Sequence, residues 1–175
     1  MRCKNGELRI RRARSVDVPL LQAIERAAAG RYAELSETRF CLELPVRDDD
    51  EHRFARECGF AVVSVLDGVP VGFALATPKD DRAHLLEFAV APKQQGRGCG
   101  ARLIAAVEAW PQESGFTEMT LTTYRDVQWN APFFRSLGYE LIEIGSDRPE
   151  LAEVIADEQR SAFHGALRKS FVRRK

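Results

Sequence analysis

Gln95-Gly96-Arg97-Gly98-Cys99-Gly100 follows an apolar run and opens a helix, and this turn decides the fold. The run before it, His84 to Val90 with Pro92 just beyond, reads as a strand. Ala101 to Trp110 reads as a helix with Leu103, Ile104 and Val107 on one face. Three glycines in five positions let the backbone turn its N–H groups inward, and the helix behind adds its positive N-terminal end. Strand, glycine turn and helix together make a site for a phosphate-bearing ligand.

Three phosphate-binding motifs compete for this turn. A nucleoside-triphosphate loop ends in Gly-Lys-Ser/Thr, so that lysine reaches the phosphates and the hydroxyl reaches magnesium. Gly100 is followed by Ala101 and Arg102, and that assignment fails. A dinucleotide fingerprint is formally met by Gly96, Gly98 and Ala101, but it wants an acidic residue at the end of the next strand. Glu118 has the spacing yet starts its apolar run, and only about 75 residues follow the turn, too few for a doubly wound domain.

The third motif, Q/R-x-x-G-x-G/A, is matched by Gln95, Gly98 and Gly100. It is the pyrophosphate loop of the GNAT superfamily of acyl-CoA-dependent N-acetyltransferases, and the chain resembles that family well beyond the loop. Phe88-Ala89-Val90-x-Pro92 looks like the family's central strand, and Asn130-Ala131-Pro132-Phe133-Phe134-x-x-Leu137-Gly138-Tyr139 like its next helix and the strand beyond. Leu8-Arg9-Ile10-Arg11 with Asp17-x-Pro19-x-Leu21 matches the usual opening. The four blocks cover roughly residues 7 to 144, in order and at the right spacing.

Composition sets the outer limits. At 175 residues the chain is expected to form one domain, residues 1–175. Lysine plus arginine equals aspartate plus glutamate, 26 each, so no global field attracts nucleic acid or an anionic membrane. No apolar run approaches the roughly 20 residues of a membrane helix. Met1 to Gly6 does not read as a secretion signal, and the cytoplasm is the expected compartment. Cys3, Cys41, Cys58 and Cys99 lack C-x-x-C spacing and read as free thiols, while His52, His84 and His164 are too dispersed for a metal site. Neither charge nor composition decides whether the chain pairs as a homodimer.

Along the chain, Leu8 to Ala13 reads as a strand, and Asp17 caps a helix whose Leu20, Leu21, Ile24 and Ala28 face the core. Arg31 to Arg47 shows no period and is expected to be irregular. Asp48-Asp49-Asp50-Glu51 precedes His52 to Cys58, a short helix ended by Gly59; acids there complement the helix dipole, and a charged lip that attracts an amine is the alternative. Phe60 to Leu66, Asp67-Gly68 and Val71 to Ala76 form a hairpin signature, its turn left open by Val69-Pro70. Pro111 ends or kinks the long helix near Trp110. Glu118 to Tyr124 is a strand, Asn130 caps a helix closed by Gly138, and Tyr139 to Ile144 is a strand. Leu151 to Phe163 reads as helical, and Leu167 to Lys175 as a solvated final strand. The sum is an α/β sandwich around a mainly antiparallel sheet. The resemblance makes this a three-layer GNAT fold around a mixed, twisted sheet with a splayed central strand pair.

What the resemblance implies about chemistry is specific. Backbone N–H groups of residues 95–100 (Gln95, Gly96, Arg97, Gly98, Cys99, Gly100) would hold the CoA pyrophosphate, Arg97 adding either a phosphate contact or a solvated loop charge. The exposed backbone of Phe88, Ala89 and Val90 would pair with pantetheine, Val90 N–H serving as oxyanion donor. Asn130 matches the asparagine that contacts CoA beyond the splay, and Phe133 and Phe134 follow it on the same helix. Glu87 matches an acid frequent in relatives, and His84 a histidine of arylalkylamine acetyltransferases; Glu87 is the stronger candidate base, because a carboxylate in an apolar strand is costly without a partner. Strand alternation puts His84, Leu86 and Phe88 on one face and Leu85, Glu87 and Ala89 on the other, unless a bulge changes the parity. Relatives commonly carry a tyrosine acid where this chain has Phe134, and Tyr124 is the best replacement. The expected activity is transfer of acetyl from acetyl-CoA to a primary amine without metal. An acyl-CoA-binding or regulatory module is the rival, favoured by Phe134 and opposed by Glu87 and His84.

Overall fold

The computed structural model describes residues 7–143, 145–158 and 164–171. The chain falls into two compact units. One holds the residues up to Ala76 with Glu87–Val107, the other Thr77–Leu86 with the residues from Glu108 on. The seven strands form one mixed sheet in the order β1-β2-β3-β4-β5-β7-β6.

The first unit opens with β1 (Arg9–Arg12), antiparallel to β2 (Phe60–Leu66). Between them lie α1 (Val18–Ala29), two 3-10 turns (Gly30–Glu34 and Ser36–Leu42) and α2 (Asp49–Cys58). The segment without sequence period is thus two tight turns. On α1, Val18, Leu21 and Ile24 are buried, whereas Leu20, expected inward, is exposed. Asp17 precedes α1 but does not cap it with its side chain. Its carboxylate is taken by the Arg11 guanidinium at 2.7 and 2.8 Å and by Arg14 N–H at 2.8 Å, which closes the 3-10 turn Ser15–Asp17 instead. The acidic run expected ahead of the helix forms its N-cap and first turn, since α2 starts at Asp49 and not at His52, and it has a structural use. Asp48 accepts from Glu51 N–H, and Glu51 Oε2 accepts from Asp48 N–H, both at 2.9 Å, a reciprocal capping box.

β2 and β3 (Val69–Lys79) join through Asp67-Gly68, whose φ angles of 51° and 83° are the left-handed pair of a two-residue hairpin turn. Val69 and Pro70 belong to the strand, and a register shift between Ser64 and Val65 accommodates the proline. Gly72 is required by close approach: a Cβ there would stand 3.0 Å from the Ala89 carbonyl oxygen and 3.1 Å from Leu103. It brings β3 against β4 (Arg82–Val90) and α3 (Cys99–Ser114), the two elements that flank the glycine turn. Leu103, Ile104 and Val107 of α3 are fully buried, as their spacing predicts. Pro111 neither ends α3 nor sits outside it; the helix continues to Ser114.

In the second unit, β5 (Glu118–Tyr124) pairs in parallel with β4 over Ala83↔Met119, His84↔Thr120 and Leu85↔Leu121. It is a parallel pair, whereas β1·β2, β2·β3, β5·β7 and β6·β7 are antiparallel. α4 (Ala131–Ser136), β6 (Glu140–Ile142), α5 (Pro149–Glu158) and β7 (His164–Ser170) complete the unit. The final strand is not a solvated edge. β7 lies between β5 and β6, with Ala166 and Leu167 buried, and its basic residues find partners: Lys169 Nζ is 2.9 Å from Glu108 and Arg168 is 3.6 Å from Glu118. Parts of three expected elements (Ile144, residues 159–163 and 172–175) lie outside the described residues, as does Cys3.

Candidate active site

The glycine turn follows the end of β4 in the first unit. Gly96 and Gly98 have φ of 71° and 78°, the left-handed conformation that L side chains rarely adopt, and a Cβ at either would meet nothing within 4 Å. The turn is therefore open on the side its glycines face, as close approach of a ligand to backbone demands. Cys99 starts α3 with its side chain turned inward, the thiol 3.0 Å from Ser64 Oγ, and burial pushes that thiol up. What Cys99 offers outward is main chain, and its thiol is no nucleophile at the turn. Gln95 binds the turn to the strand: its Nε2 donates to the Val90 carbonyl at 3.0 Å, and its Oε1 accepts from Arg31 at 3.4 Å. Arg31, Glu34, Gln95 and Gly96 line a cavity of about 560 Å³ beside the turn. Arg97 is exposed.

On β4, Ala89 and Val90 are buried and Phe88 half-buried. Glu87 is half-buried as well, and its carboxylate is held on both oxygens. Oε1 accepts from the N–H of Phe88 at 3.0 Å, and Oε2 stands 3.3 Å from Arg47 Nε. The Arg47 guanidinium also reaches Glu51 Oε1 at 2.8 Å. Arg47 N–H donates to Glu25 Oε1 on α1 at 3.0 Å, while Glu25 Oε2 is buried with no hydrogen-bond partner. Burial, followed by the charge of Glu87, pushes the Glu25 carboxyl up to about 8. Burial works against the Arg47 charge too, but Glu87 and Glu51 outweigh it and hold the guanidinium more firmly protonated than usual.

Sequence reasoning finds Glu87 and misses Glu25, Arg47 and Glu51 as its company. One signal for Glu25 was available. It lies four residues after Leu21, on the helix stripe that Val18, Leu21 and Ile24 bury, and an acid on an apolar stripe calls for a reason. Arg47 carries no such signal, since it ends a segment without period.

The remaining candidates belong to the second unit. His84 is buried at 2 % exposure, its Nδ1 3.0 Å from Thr120 Oγ1 across the parallel ladder. Tyr124 ends β5 and is buried at 8 %. Asn130 occupies the N-cap position of α4 but makes no side-chain capping bond; its carbonyl accepts from Phe134 N–H at 3.2 Å. Phe134 is buried, its ring edge-to-face with Phe133 at 5.2 Å and Tyr139 at 5.6 Å. Tyr139 donates to Met119 Sδ at 3.2 Å, and burial together with Glu108 raises its phenol far above the ordinary value.

Comparison with known proteins bears on this arrangement directly. The fold matches that of the PaiA N-acetyltransferase from Thermoplasma acidophilum solved with coenzyme A, with a TM-score of 0.71 at 14 % identity over 94 % of this chain and 99 % of that one. It also matches the ribosomal-protein-S18-alanine N-acetyltransferase of Escherichia coli, with a TM-score of 0.70 at 15 % identity over 97 % of each chain. The N-acetylglutamate synthase of Neisseria gonorrhoeae, complexed with coenzyme A and N-acetyl-glutamate, gives 0.72 at 19 % identity over 97 % of this chain and 36 % of that chain. At these identities the likeness is one of fold. The model of the acetyltransferase (GNAT) family matches residues 20–139, from within α1 through the glycine turn to just beyond α4, and with that match over more than half its length the chain belongs to the GNAT acetyltransferase family.

Proposed function

We propose that this protein moves an acetyl group from acetyl-CoA directly to a primary amine, with Glu87 as the general base. The observation that carries this reading is the placement of Glu87. It is a half-buried carboxylate on β4, immediately before the backbone of Phe88, Ala89 and Val90 and five residues beyond which the open glycine turn begins at Gln95.

Each residue then has a task. Main-chain N–H groups of residues 95–100 hold the pyrophosphate, helped by the N-terminus of α3. Phe88, Ala89 and Val90 align the pantetheine arm, and Val90 N–H stabilises the oxygen that gains charge as the amine attacks. Glu87 takes a proton from the acceptor ammonium, directly or through a water, so that the nitrogen lone pair can form the new C–N bond. His84, buried and bonded to Thr120, serves the strand pairing in this scheme and not the proton transfer. Asn130 contacts CoA from the start of α4. The departing thiolate has an ordinary pKa of about 8.5, so water or Tyr124 suffices to protonate it where Phe134 offers no hydroxyl. The cytoplasm is the proposed compartment; among the described residues no helix is long and apolar enough to cross a membrane.

Phe134 supports a second reading, an acyl-CoA-binding module without transfer activity. The two are separated by following thiol release from acetyl-CoA in the presence of n-propylamine, glutamate and a peptide with an N-terminal alanine. Amine-dependent thiol release supports the enzyme. Tight acetyl-CoA binding with no release above the amine-free rate supports the module.

A further inference from the structure

Glu25 is an acid of the first unit whose chemistry the reaction above leaves unused. One oxygen accepts the main-chain N–H of Arg47, and the other is buried without a hydrogen-bond partner. The Arg47 side chain, fixed at its base by that bond, divides its guanidinium between Glu51 and Glu87. Gln22 of the same helix adds a second hold on this segment, its Nε2 donating to the Arg47 carbonyl at 3.1 Å. A carboxylate that must act as a base is poorly served by an unshared arginine, which favours its ionised form and weakens its pull on a proton. Here the arginine is shared, and its position is set from α1. We propose that Glu25 is a positioning residue for transfer at Glu87: by holding the main chain of Arg47, and by its own charge once it is ionised, it sets how strongly the Arg47 guanidinium grips the base. This inference rests on Glu87 being the base.

Other uses of the cluster fit less well. Among the described residues no group of His, Cys, Asp or Glu is arranged to hold a metal ion, these three glutamates included. Glu25 Oε2 is buried without a hydrogen-bond partner, and a buried polar atom of that kind calls for an explanation beyond the pairing of charges. The charged groups facing Glu25 are Glu87 from β4, Arg47 from the segment before α2 and Glu51 from α2. With Glu25 protonated the cluster holds two negative charges against one positive. Loss of that proton adds a third, which raises the proton affinity of Glu87.

The test is a carbon-13 NMR titration of the side-chain carboxyls in glutamate-labelled protein, the Glu87 signal being assigned by its loss in Glu87→Gln. In the wild type, Glu87 should show a main step and a second inflection near pH 8 as Glu25 ionises. Glu25→Gln keeps an acceptor for Arg47 N–H but cannot ionise, so it should preserve the main step and abolish the second. Glu25→Ala frees Arg47 and should move the main step upward; because a loose Arg47 no longer orients the Glu87 carboxylate, turnover should fall roughly tenfold to a hundredfold despite the stronger pull on the proton, with the KM for acetyl-CoA unchanged. If the alanine variant does not fold, the glutamine variant decides alone, since it is isosteric. A Glu87 titration identical in wild type and Glu25→Gln overturns the proposal. Undiminished turnover in Glu87→Gln overturns the assignment of the base, and the role of Glu25 in transfer with it, even where the titrations behave as expected. A large loss in Glu87→Gln with an unmoved Glu87 titration overturns Glu25 alone.

Discussion

Two acids of the first unit respond to pH in opposite senses, and both responses follow from their partners. Glu25 is raised from an ordinary 4.5 to about 8, so the folded protein keeps a proton that the unfolded chain releases. Its contribution to stability is full below about pH 4.5 and is lost as pH rises through about 8. Asp17 is lowered by its bond to Arg11, so its contribution is present above its ordinary value and is lost as pH falls through the lowered one. Melting curves of Glu25→Gln should therefore be flatter than wild type between about pH 5 and about pH 8.5, and the variant should be the more stable protein at the upper end. Parallel curves would show that Glu25 is not held as an acid. A second prediction concerns the proton for the leaving thiolate. If Tyr124 supplies it, Tyr124→Phe should slow transfer more in the wild type than in a Phe134→Tyr background, where another hydroxyl can stand in. The two substitutions form a double-mutant cycle, and strictly additive effects remove Tyr124 from the mechanism.

Elements in this chain are often fixed by a residue far from their own ends. α5 is the clearest case. Its first turn is capped from the β3–β4 turn, where Asp80 Oδ1 and Oδ2 accept from Glu150 N–H and Leu151 N–H, each at 2.9 Å. Asp80 N–H donates in return to Glu150 Oε2 at 3.0 Å. Asp80 adopts φ of 51°, a conformation that aspartate and asparagine tolerate better than most residues. Asp80→Ala should cost about 1–2 kcal/mol, read as a lower melting temperature, whereas Asp80→Asn should retain part of the cap. A neutral Asp80→Ala would mean that solvent replaces these bonds without loss. The same nonlocality explains what was legible in the sequence. The glycine turn and the hairpin at Asp67-Gly68 are written within a few neighbouring residues, and both appear where the sequence places them; the capping box of α2 is equally local but was read only as acids complementing the dipole, and the helix starts at Asp49 rather than His52. The Asp17 cap was misread because Arg11, six residues back, claims its carboxylate. β7 was misread because strand order depends on which partner a strand finds, and no local pattern records that it enters between β5 and β6.

At the scale of the whole molecule, family and fold were legible because four motif blocks recur in order, while the setting of the base was not. Arg47 stands 22 residues from Glu25 and 40 from Glu87, and their meeting is a product of the fold. Binding should act on the molecule as a whole. Acetyl-CoA at about 100-fold over its dissociation constant should stabilise the protein by roughly 2.7 kcal/mol, a melting shift on the order of 5–10 °C at this size. NADH and ATP should shift it little, and an equal shift with NADH would restore the dinucleotide assignment of the glycine turn.

The proposed role of Glu87 is to remove the proton while taking little part in holding acetyl-CoA. The most direct measurement is turnover and acetyl-CoA affinity for wild type and Glu87→Gln, side by side, with whichever of the three test amines the wild type acetylates. Turnover should fall by roughly 10²–10⁴-fold in Glu87→Gln, with affinity for acetyl-CoA essentially unchanged. Turnover within a few-fold of wild type would contradict it, as would a loss explained entirely by weaker binding of acetyl-CoA.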